Sequence, residues 1–415
     1  MKIAICFDDL IQFGGAERLL LAVHELYPDA PIYTSVASDD WLKRCPDNRI
    51  DLKTSFMQNL PFKKSLNRFY GLLGLHALAF ESFNFDDFDV VLSISARFAH
   101  GIITKPGTIH VCYMNSPGRM FWEQCDYFER EGFLSNDLIK RLFQLFSVPL
   151  LSFRRLCDYA CAQRVDYFIA NALTPKKRIK KYYRRESTVI YPFVDESVIG
   201  LDETNSHVIA NERMRVKQSN NGTALVTPRG DDYYLVITRL NAWKRVDIAI
   251  EACKKIGVGL KIIGEGSDKA RLLRYALVPP NDEKGRNDGG VTDGQVEFLG
   301  YVSEQEKISA ILGCKALIVT QKEDFGITAL EAMALGKPVI AYRAGGALET
   351  VIEGATGEFF NAQEAEGLVK TLAQFNPLIY KPESCKSQVA KFSKQKFMHQ
   401  LDEFVKTVYD KHHNL

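Results

Sequence analysis

Short apolar runs separated by helix-length segments of mixed polarity recur along most of the chain. Lys2–Phe7 has the length and Ile-Ala-Ile content of a buried strand, and Ala16–Leu26, behind Gly14-Gly15, reads as a helix. Pro31–Val36, Asp89–Ser95 and Ile109–Met114 are further strands, and a long helical stretch runs from about Asn136 to Cys161. Tyr167–Ala170 and Thr188–Tyr191 follow as strands, with a helix between them. Thr174 as N-cap and Pro175 as first helical residue are the start signal for that helix.

The pattern breaks between Gly200 and Asp232, where Thr-Asn-Ser, Asn-Asn-Gly and Pro-Arg-Gly clusters replace the apolar runs. A second alternating series then begins. Its predicted strands are Tyr233–Arg239, Leu260–Ile263, Val296–Leu299, Ala316–Thr320 and Pro338–Tyr342, with helices between them and a polar insertion at Pro279–Gly294. An amphipathic helix, roughly Lys394–His412, closes the chain.

Two strand–helix series predict an α/β protein of two doubly wound, Rossmann-like parallel-sheet domains. The expected division is 1–198, a linker at 199–231, 232–392, and a C-terminal helix at 393–415 that crosses back to the first domain. In such sheets ligands gather at the carboxyl ends of the strands.

Composition narrows the classes. With 53 Lys+Arg against 51 Asp+Glu, the net charge of +2 argues against a nucleic-acid binder. No run reaches the roughly 18 apolar residues of a membrane span, and Asp8-Asp9 interrupts the N-terminal run too soon for a signal peptide. Nine dispersed cysteines without a Cys-x-x-Cys pair suit a reducing cytoplasm.

Several chemistry-bearing residues fall at the predicted carboxyl edges. Gly14 and Gly15 let backbone approach a ligand at a helix N-terminus. Arg239 and Lys244 place two cations after the first strand of the second series, where a diphosphate could sit. Gly264-Glu265-Gly266 is a Gly-x-Gly without the third glycine of a dinucleotide fingerprint. Glu323 and Glu331 flank Gly326, where a helix should begin; eight helical residues would span about 12 Å. That exceeds the separation in paired-carboxylate hydrolases, so the two acids are expected at opposite ends of one elongated ligand. Gly345-Gly346 again leaves room after the following strand. Taken singly, each feature also fits ordinary turns, caps or surface ion pairs.

Together these residues resemble glycosyltransferase family 4, retaining enzymes of the GT-B fold, from Met1 to about Phe360. Glu323–Glu331 matches the family's E-x7-E segment, Arg239–Lys244 its R-x4-K segment, and Gly14–Arg18 its N-terminal glycine loop. Ile262–Gly266 and Phe298–Val302 match its nucleoside-facing turns, and the overall impression is of the bacterial mannosyltransferase-like branch. The resemblance implies two domains facing a cleft. It implies that Arg239 and Lys244 bind the donor diphosphate and that Glu331 holds the ribose. It further implies that Glu323 contacts the transferred sugar beside the Phe325–Gly326–Ile327 backbone. Gly264, Glu265, Tyr301 and Val302 would face the nucleoside, and Gly14 and Gly15 would approach the phosphates from the opposite domain. No metal or other cofactor is implied, and Asp87-Phe88-Asp89 precedes its strand, at the wrong edge for a metal site.

One position departs from the pattern. Where the family often shows His-x-Pro, this chain reads Asn115-Ser116-Pro117. An amide hydrogen-bonds a sugar hydroxyl but cannot exchange a proton near neutral pH. The retaining mechanism implied by the resemblance lets the departing phosphate accept the proton. Arg239 and Lys244 would stabilise its growing charge.

Between Leu138 and Arg185 there are 12 Lys+Arg against Asp158 and Asp166, interleaved with Leu142, Phe143, Leu145, Phe146, Leu150, Leu151 and Phe153. Pro61–Lys64 and Arg68–Leu73 look similar. Such stretches suit an anionic membrane surface, and a surface helix with a buried apolar face and solvated charge has the same composition. The reading is a cytoplasmic enzyme held peripherally at the inner face of the membrane. It would move a hexose, mannose from GDP-mannose as the best match, to a lipid-linked glycan or envelope polysaccharide. A non-catalytic nucleotide-sugar-binding protein and a nucleotide-sugar epimerase remain as alternatives.

Overall fold

The structure is a computed structural model and describes residues 1–44, 50–63, 66–123, 137–195, 198, 233–277 and 296–413. The linker expected at 199–231 and the insertion at 279–294 lie outside the described residues. So do Lys64 and the side chains of Arg68 and of 137–147 in the basic stretch.

Two compact units divide the chain: Met1–Phe193 with Lys394–Leu415, and Val194–Ser393. In the first, β1 (Ile3–Phe7), β2 (Ile32–Thr34), β3 (Leu52–Thr54), β4 (Val90–Ser95), β5 (Ile109–Met114), β6 (Tyr167–Ala170) and β7 (Ser187–Val189) form one sheet. Its order is β3-β2-β1-β4-β5-β6-β7, with every pair parallel. Every residue of β1, β4 and β5 is buried, the pattern of strands covered on both faces. The covering helices are α1 (Gly15–Leu26), α2 (Asp39–Arg44), α3 (Asn67–Leu73), α4 (Leu75–Glu81), α5 (Arg119–Trp122), α6 (Asp137–Gln163) and α7 (Leu173–Arg178).

In the second unit, β8 (Tyr233–Ile237), β9 (Gly259–Ile263), β10 (Val296–Gly300), β11 (Cys314–Val319), β12 (Val339–Tyr342) and β13 (Gly357–Phe360) run in the order β10-β9-β8-β11-β12-β13. All of these pairs are parallel too. Its helices are α8 (Val246–Ile256), α9 (Lys269–Leu277), α10 (Glu304–Leu312), α11 (Ile327–Ala334), α12 (Ala347–Thr350), α13 (Ala365–Gln374) and α14 (Pro382–Val389). A capping box starts α10: Ser303 Oγ accepts from Glu306 N, and the Glu306 carboxylate accepts from Ser303 N. The chain then returns to the first unit. There α15 (Lys394–His413) buries Phe397, Leu401, Val405 and Val408 in the same core as Ile3, Ile5, Leu20 and Tyr113.

Some local expectations differ. Ala172, not Thr174, is the N-cap of α7, so Pro175 sits at its third position; the first three amides of a helix have no internal partner, and proline loses nothing there. Pro149 lies inside α6. Both sheets reverse strand order beside their first strand, between β1 and β4 and between β8 and β11. Those two points fix where a ligand crevice opens in each unit.

Candidate functional site

At the switch point of the second unit, β8 leads through Thr238-Arg239 into a 3-10 turn, Ala242–Lys244, and β11 leads into Thr320–Asp324. Lys244 is largely buried, yet its ammonium contacts Glu323 Oε1 and lies 4.0 Å from the centre of the Trp243 ring. Two further bonds fix this pair. Thr320 Oγ1 donates to Lys244 O at 2.8 Å, and Gln321 Nε2 donates to Glu323 Oε1 at 2.9 Å. Gln363 Nε2 in turn donates to Thr320 O at 2.9 Å. Arg239 is exposed, and no hydrogen bond or ion pair of its guanidinium is found among the described residues.

Glu323 precedes α11, which begins at Ile327, so the 12 Å helical span does not describe its separation from Glu331. Gly326 is the N-cap of α11 at φ 88°, a left-handed conformation that a β-carbon would strain. Phe325 is buried against Phe392, ring centres 5.5 Å apart. Glu331, inside α11, is buried, and Lys307 Nζ reaches its Oε1 at 3.1 Å while also pairing with Glu304 at 2.6 Å.

The glycine turns have a packing cause. A β-carbon on Gly266 would lie 2.6 Å from Leu240 C, and one on Gly346 would lie 2.5 Å from Phe325 C. Gly346 N also donates to Glu323 O at 2.9 Å, so β12's turn holds the Glu323 segment from behind. Gly264 sits at φ 142° with its amide bonded to Gly300 O at 2.9 Å. Glu265 is exposed and pairs with Lys269 at 2.5 Å; Tyr301 is exposed and Val302 half-buried at the end of β10.

The switch point of the first unit carries charge that the sequence reading used only as an argument against a signal peptide. Asp8, at the end of β1, accepts from Phe98 N at 2.8 Å, Ala99 N at 2.7 Å, Ala96 N at 2.7 Å and Ser95 Oγ at 3.1 Å. Its neighbour Asp9 is buried and ion-paired with Arg97. The signal available in the sequence was two acids at the exact carboxyl end of a buried strand. Asn115 follows β5; its backbone N–H donates to Ser95 O at 2.8 Å, and Asn171 Nδ2 donates to its side-chain Oδ1 at 3.4 Å. Gly14 caps α1 at φ −162°, extended backbone open to any residue, and Gly15 is helical. Neither glycine is there to permit a left-handed turn. His110 points into the core, 2.8 Å from Ser93 Oγ, and is not placed at the edge.

Among the described residues no group of three or more His, Cys, Asp and Glu is placed to hold a metal. None of their helices is long and apolar enough to cross a membrane.

Residues 218–391 match the family model described as glycosyl transferases group 1, a stretch that contains Arg239, Lys244, Glu323 and Glu331. The chain is 29% identical over 294 residues to alpha-1,3/1,6-mannosyltransferase ALG2 of Dictyostelium discoideum, covering 65% of this chain and 66% of that protein. It is 24% identical over 209 residues to the O-antigen chain mannosyltransferase C of Escherichia coli, covering 50% and 47%. The matched stretches thus span just under two thirds and about half of those relatives. Among solved structures, HepE of Anabaena in complex with UDP superposes with a TM-score of 0.64 at 17% identity, covering 98% of this chain and 100% of that one. The resemblance read from the motifs, and the α/β fold of two parallel Rossmann-like sheets, are borne out.

Proposed function

We propose that this chain, a mannosyltransferase-like glycosyltransferase of the GT-B fold, is a retaining, metal-independent hexosyltransferase. It moves mannose from GDP-mannose to a lipid-linked glycan or envelope polysaccharide at the inner face of the membrane. The observation that carries the reading is the Lys244–Glu323 pair at the switch point of the second sheet, with Glu331 in the helix that follows.

In this reading Lys244 and Arg239 bind the donor diphosphate, and the diphosphate takes over part of the charge that Glu323 now supplies to Lys244. Glu323 then accepts from hydroxyls of the transferred sugar. Glu331, acceptor-only while ionised, takes the ribose hydroxyls. The α11 N-terminus around Phe325–Ile327 offers backbone N–H groups to the developing charge. As the bond between the anomeric carbon and the diphosphate oxygen breaks, the acceptor hydroxyl oxygen bonds to that carbon on the same face and its proton passes to the departing diphosphate, whose charge Lys244 and Arg239 stabilise. In the first unit Asn115 donates to or accepts from a sugar hydroxyl without exchanging a proton, and the α1 N-terminus behind Gly14-Gly15 offers N–H groups to an anion. The mannosyltransferases it resembles support mannose as the sugar.

The test is a thermal-shift and turnover panel of GDP-, UDP-, ADP- and CMP-sugars, with magnesium and with EDTA. Saturation at 100 times Kd adds about 2.7 kcal/mol. A shift with GDP-mannose that EDTA leaves unchanged, and nucleoside diphosphate release that Glu323→Gln abolishes, support the proposal. No shift with any donor favours the non-catalytic alternative, and a change in the donor's own sugar without diphosphate release favours the epimerase.

A further inference from the structure

An asparagine just ahead of a helix ordinarily caps it with its side chain. Asn171 does not. The N-cap of α7 is Ala172, and no side chain bonds to that end of the helix. Asn171 is only 7% exposed, yet its Oδ1 has no hydrogen-bond partner among the described residues. A buried oxygen left unbonded lowers stability, so a gain elsewhere is called for. The one side-chain bond Asn171 makes among those residues runs from Nδ2 to Asn115 Oδ1, at 3.4 Å.

The sheet brings the two amides together. Met114 and Ala170 are register partners across β5 and β6, so Asn115 and Asn171 are each the first residue past a strand, side by side at the carboxyl edge. Their backbones are fixed there. Asn115 N–H donates to Ser95 O at 2.8 Å, and Asn171 N–H donates to Met114 O at 3.4 Å. The next residue is held from α7. Arg178, 7% exposed, donates from Nη1 to Ser116 Oγ at 3.2 Å and grips Glu123 through Nε at 2.6 Å and Nη2 at 2.8 Å. With its main chain clamped, Asn115 keeps only the freedom of its side chain.

A free carboxamide can turn either its oxygen or its NH2 toward a ligand. Asn171 removes that choice. Its donation occupies Asn115 Oδ1 and leaves Nδ2, on a partly exposed residue and without a partner among the described residues, as the group on offer. The opposite arrangement, with Asn115 Nδ2 donating to Asn171 Oδ1, would leave both side-chain N–H groups of Asn171 unbonded. Buried N–H groups go unpaired less readily than buried carbonyls. At 3.4 Å the bond is long, and a ligand that loads Asn115 Nδ2 can tighten it.

We propose that Asn171 is a positioning residue that fixes the Asn115 amide with Nδ2 outward, so that this edge offers a donor to a lone pair of a sugar hydroxyl. The inference rests on the transferase reading. Its test is a double-mutant cycle of Asn115→Ala, Asn171→Leu and the two combined. The readouts are melting temperature and nucleotide release from the sugar nucleotide that the parent turns over, GDP-mannose first. Release is followed with n-octyl mannoside as acceptor probe and, without it, as hydrolysis. Asn171→Leu should melt at or above the parent, because an unbonded buried oxygen is removed, yet lose about tenfold in kcat/KM. In the Asn115→Ala background the same substitution should have no further effect, as expected of a residue that acts through its partner. If leucine lowers the melting temperature, Asn171→Ala replaces it in the cycle. Coupling already present in hydrolysis assigns the hydroxyl to the transferred sugar, coupling present only with octyl mannoside assigns it to the acceptor, and either supports the proposal. Losses that multiply in the double variant, or parent turnover by Asn171→Leu, overturn this inference and leave the transferase reading standing. A parent that releases no nucleotide from GDP-, UDP-, ADP- or CMP-sugars overturns that reading, and this inference with it.

Discussion

Gly346→Ala separates packing from every other role a glycine can have. Gly346 sits at φ −64° and ψ −20°, a conformation alanine adopts freely, so no backbone strain enters. What enters is volume. The new β-carbon would lie 2.5 Å from Phe325 C, against an ordinary carbon–carbon separation of about 3.5 Å, so the segment must retreat by about 1 Å. That segment carries Glu323, whose carbonyl oxygen accepts Gly346 N–H at 2.9 Å, and Glu323 meets Lys244. Overpacking of this kind costs about 1–3 kcal/mol, or a fall on the order of 2–12 °C in Tm for a unit of this size. A misplacement of about 1 Å at a reacting group costs about 100-fold in turnover. The assays are calorimetry and nucleoside diphosphate release, with Gly107→Ala as control because nothing lies within 4 Å of a β-carbon there. A variant that melts like the parent refutes the packing argument. One that melts lower yet turns over at the parent rate refutes the assignment of Glu323 to the chemistry.

Lys307→Met removes a cation that holds the buried Glu331 carboxylate at 3.1 Å. The loss is about 1.5–3 kcal/mol of stability, with a raised donor KM and a nearly constant kcat; a fall in kcat alone contradicts the ribose role. Burial, with a smaller contribution from His100, pushes His110 down to about 3. The unfolded chain therefore takes up that proton first, near pH 6.5. Stability is full above this and falls below it by about 1.4 kcal/mol per pH unit until the folded value is reached. Melting from pH 8 to pH 5 should show that slope, shallower in His110→Gln; equal slopes argue against it. Leu401→Ala, at a fully buried position of α15, should cost about 2–5 kcal/mol, and denaturant titration that finds less than 1 kcal/mol argues against its core role.

The second site was the more legible one because its parts are local. Glu323, Gly326 and Glu331 fall within one turn and helix, and Arg239 and Lys244 within another, so spacing alone places them. Contacts across the sheet leave no such trace. Asp8 meets residues 87 to 91 positions away, and Lys307 meets Glu331 across 24. Periodicity tells that α6 is amphipathic but not that its Asp158 is buried. That depends on Trp122, Tyr183 and His100 gathering around Asp158, which no window of sequence contains. The glycines add less than their pairing suggests: the chain at Gly14-Gly15 is extended and then helical, conformations open to any residue.

Both sheets place an ion pair where their strand order reverses, Asp9 with Arg97 in the first and Lys244 with Glu323 in the second, and the two pairs differ in a way that bears on function. Asp9 sits beside Asp8, which is saturated by three backbone amides and a hydroxyl, so the first arrangement pins the loop after β4 and with it the backbone that Asn115 bonds. Removing Arg97 would loosen a scaffold. Lys244 and Glu323 lie on two separate loops, tied to the sheet through Thr320 and Gln321. A dianionic ligand that claims Lys244 takes that cation from Glu323 while the bond from Gln321 remains, and so makes Glu323 a stronger acceptor for hydroxyls. The first pair builds the edge of its sheet; the second is one that a diphosphate can divide, and in the proposed reaction that division readies the site for its sugar.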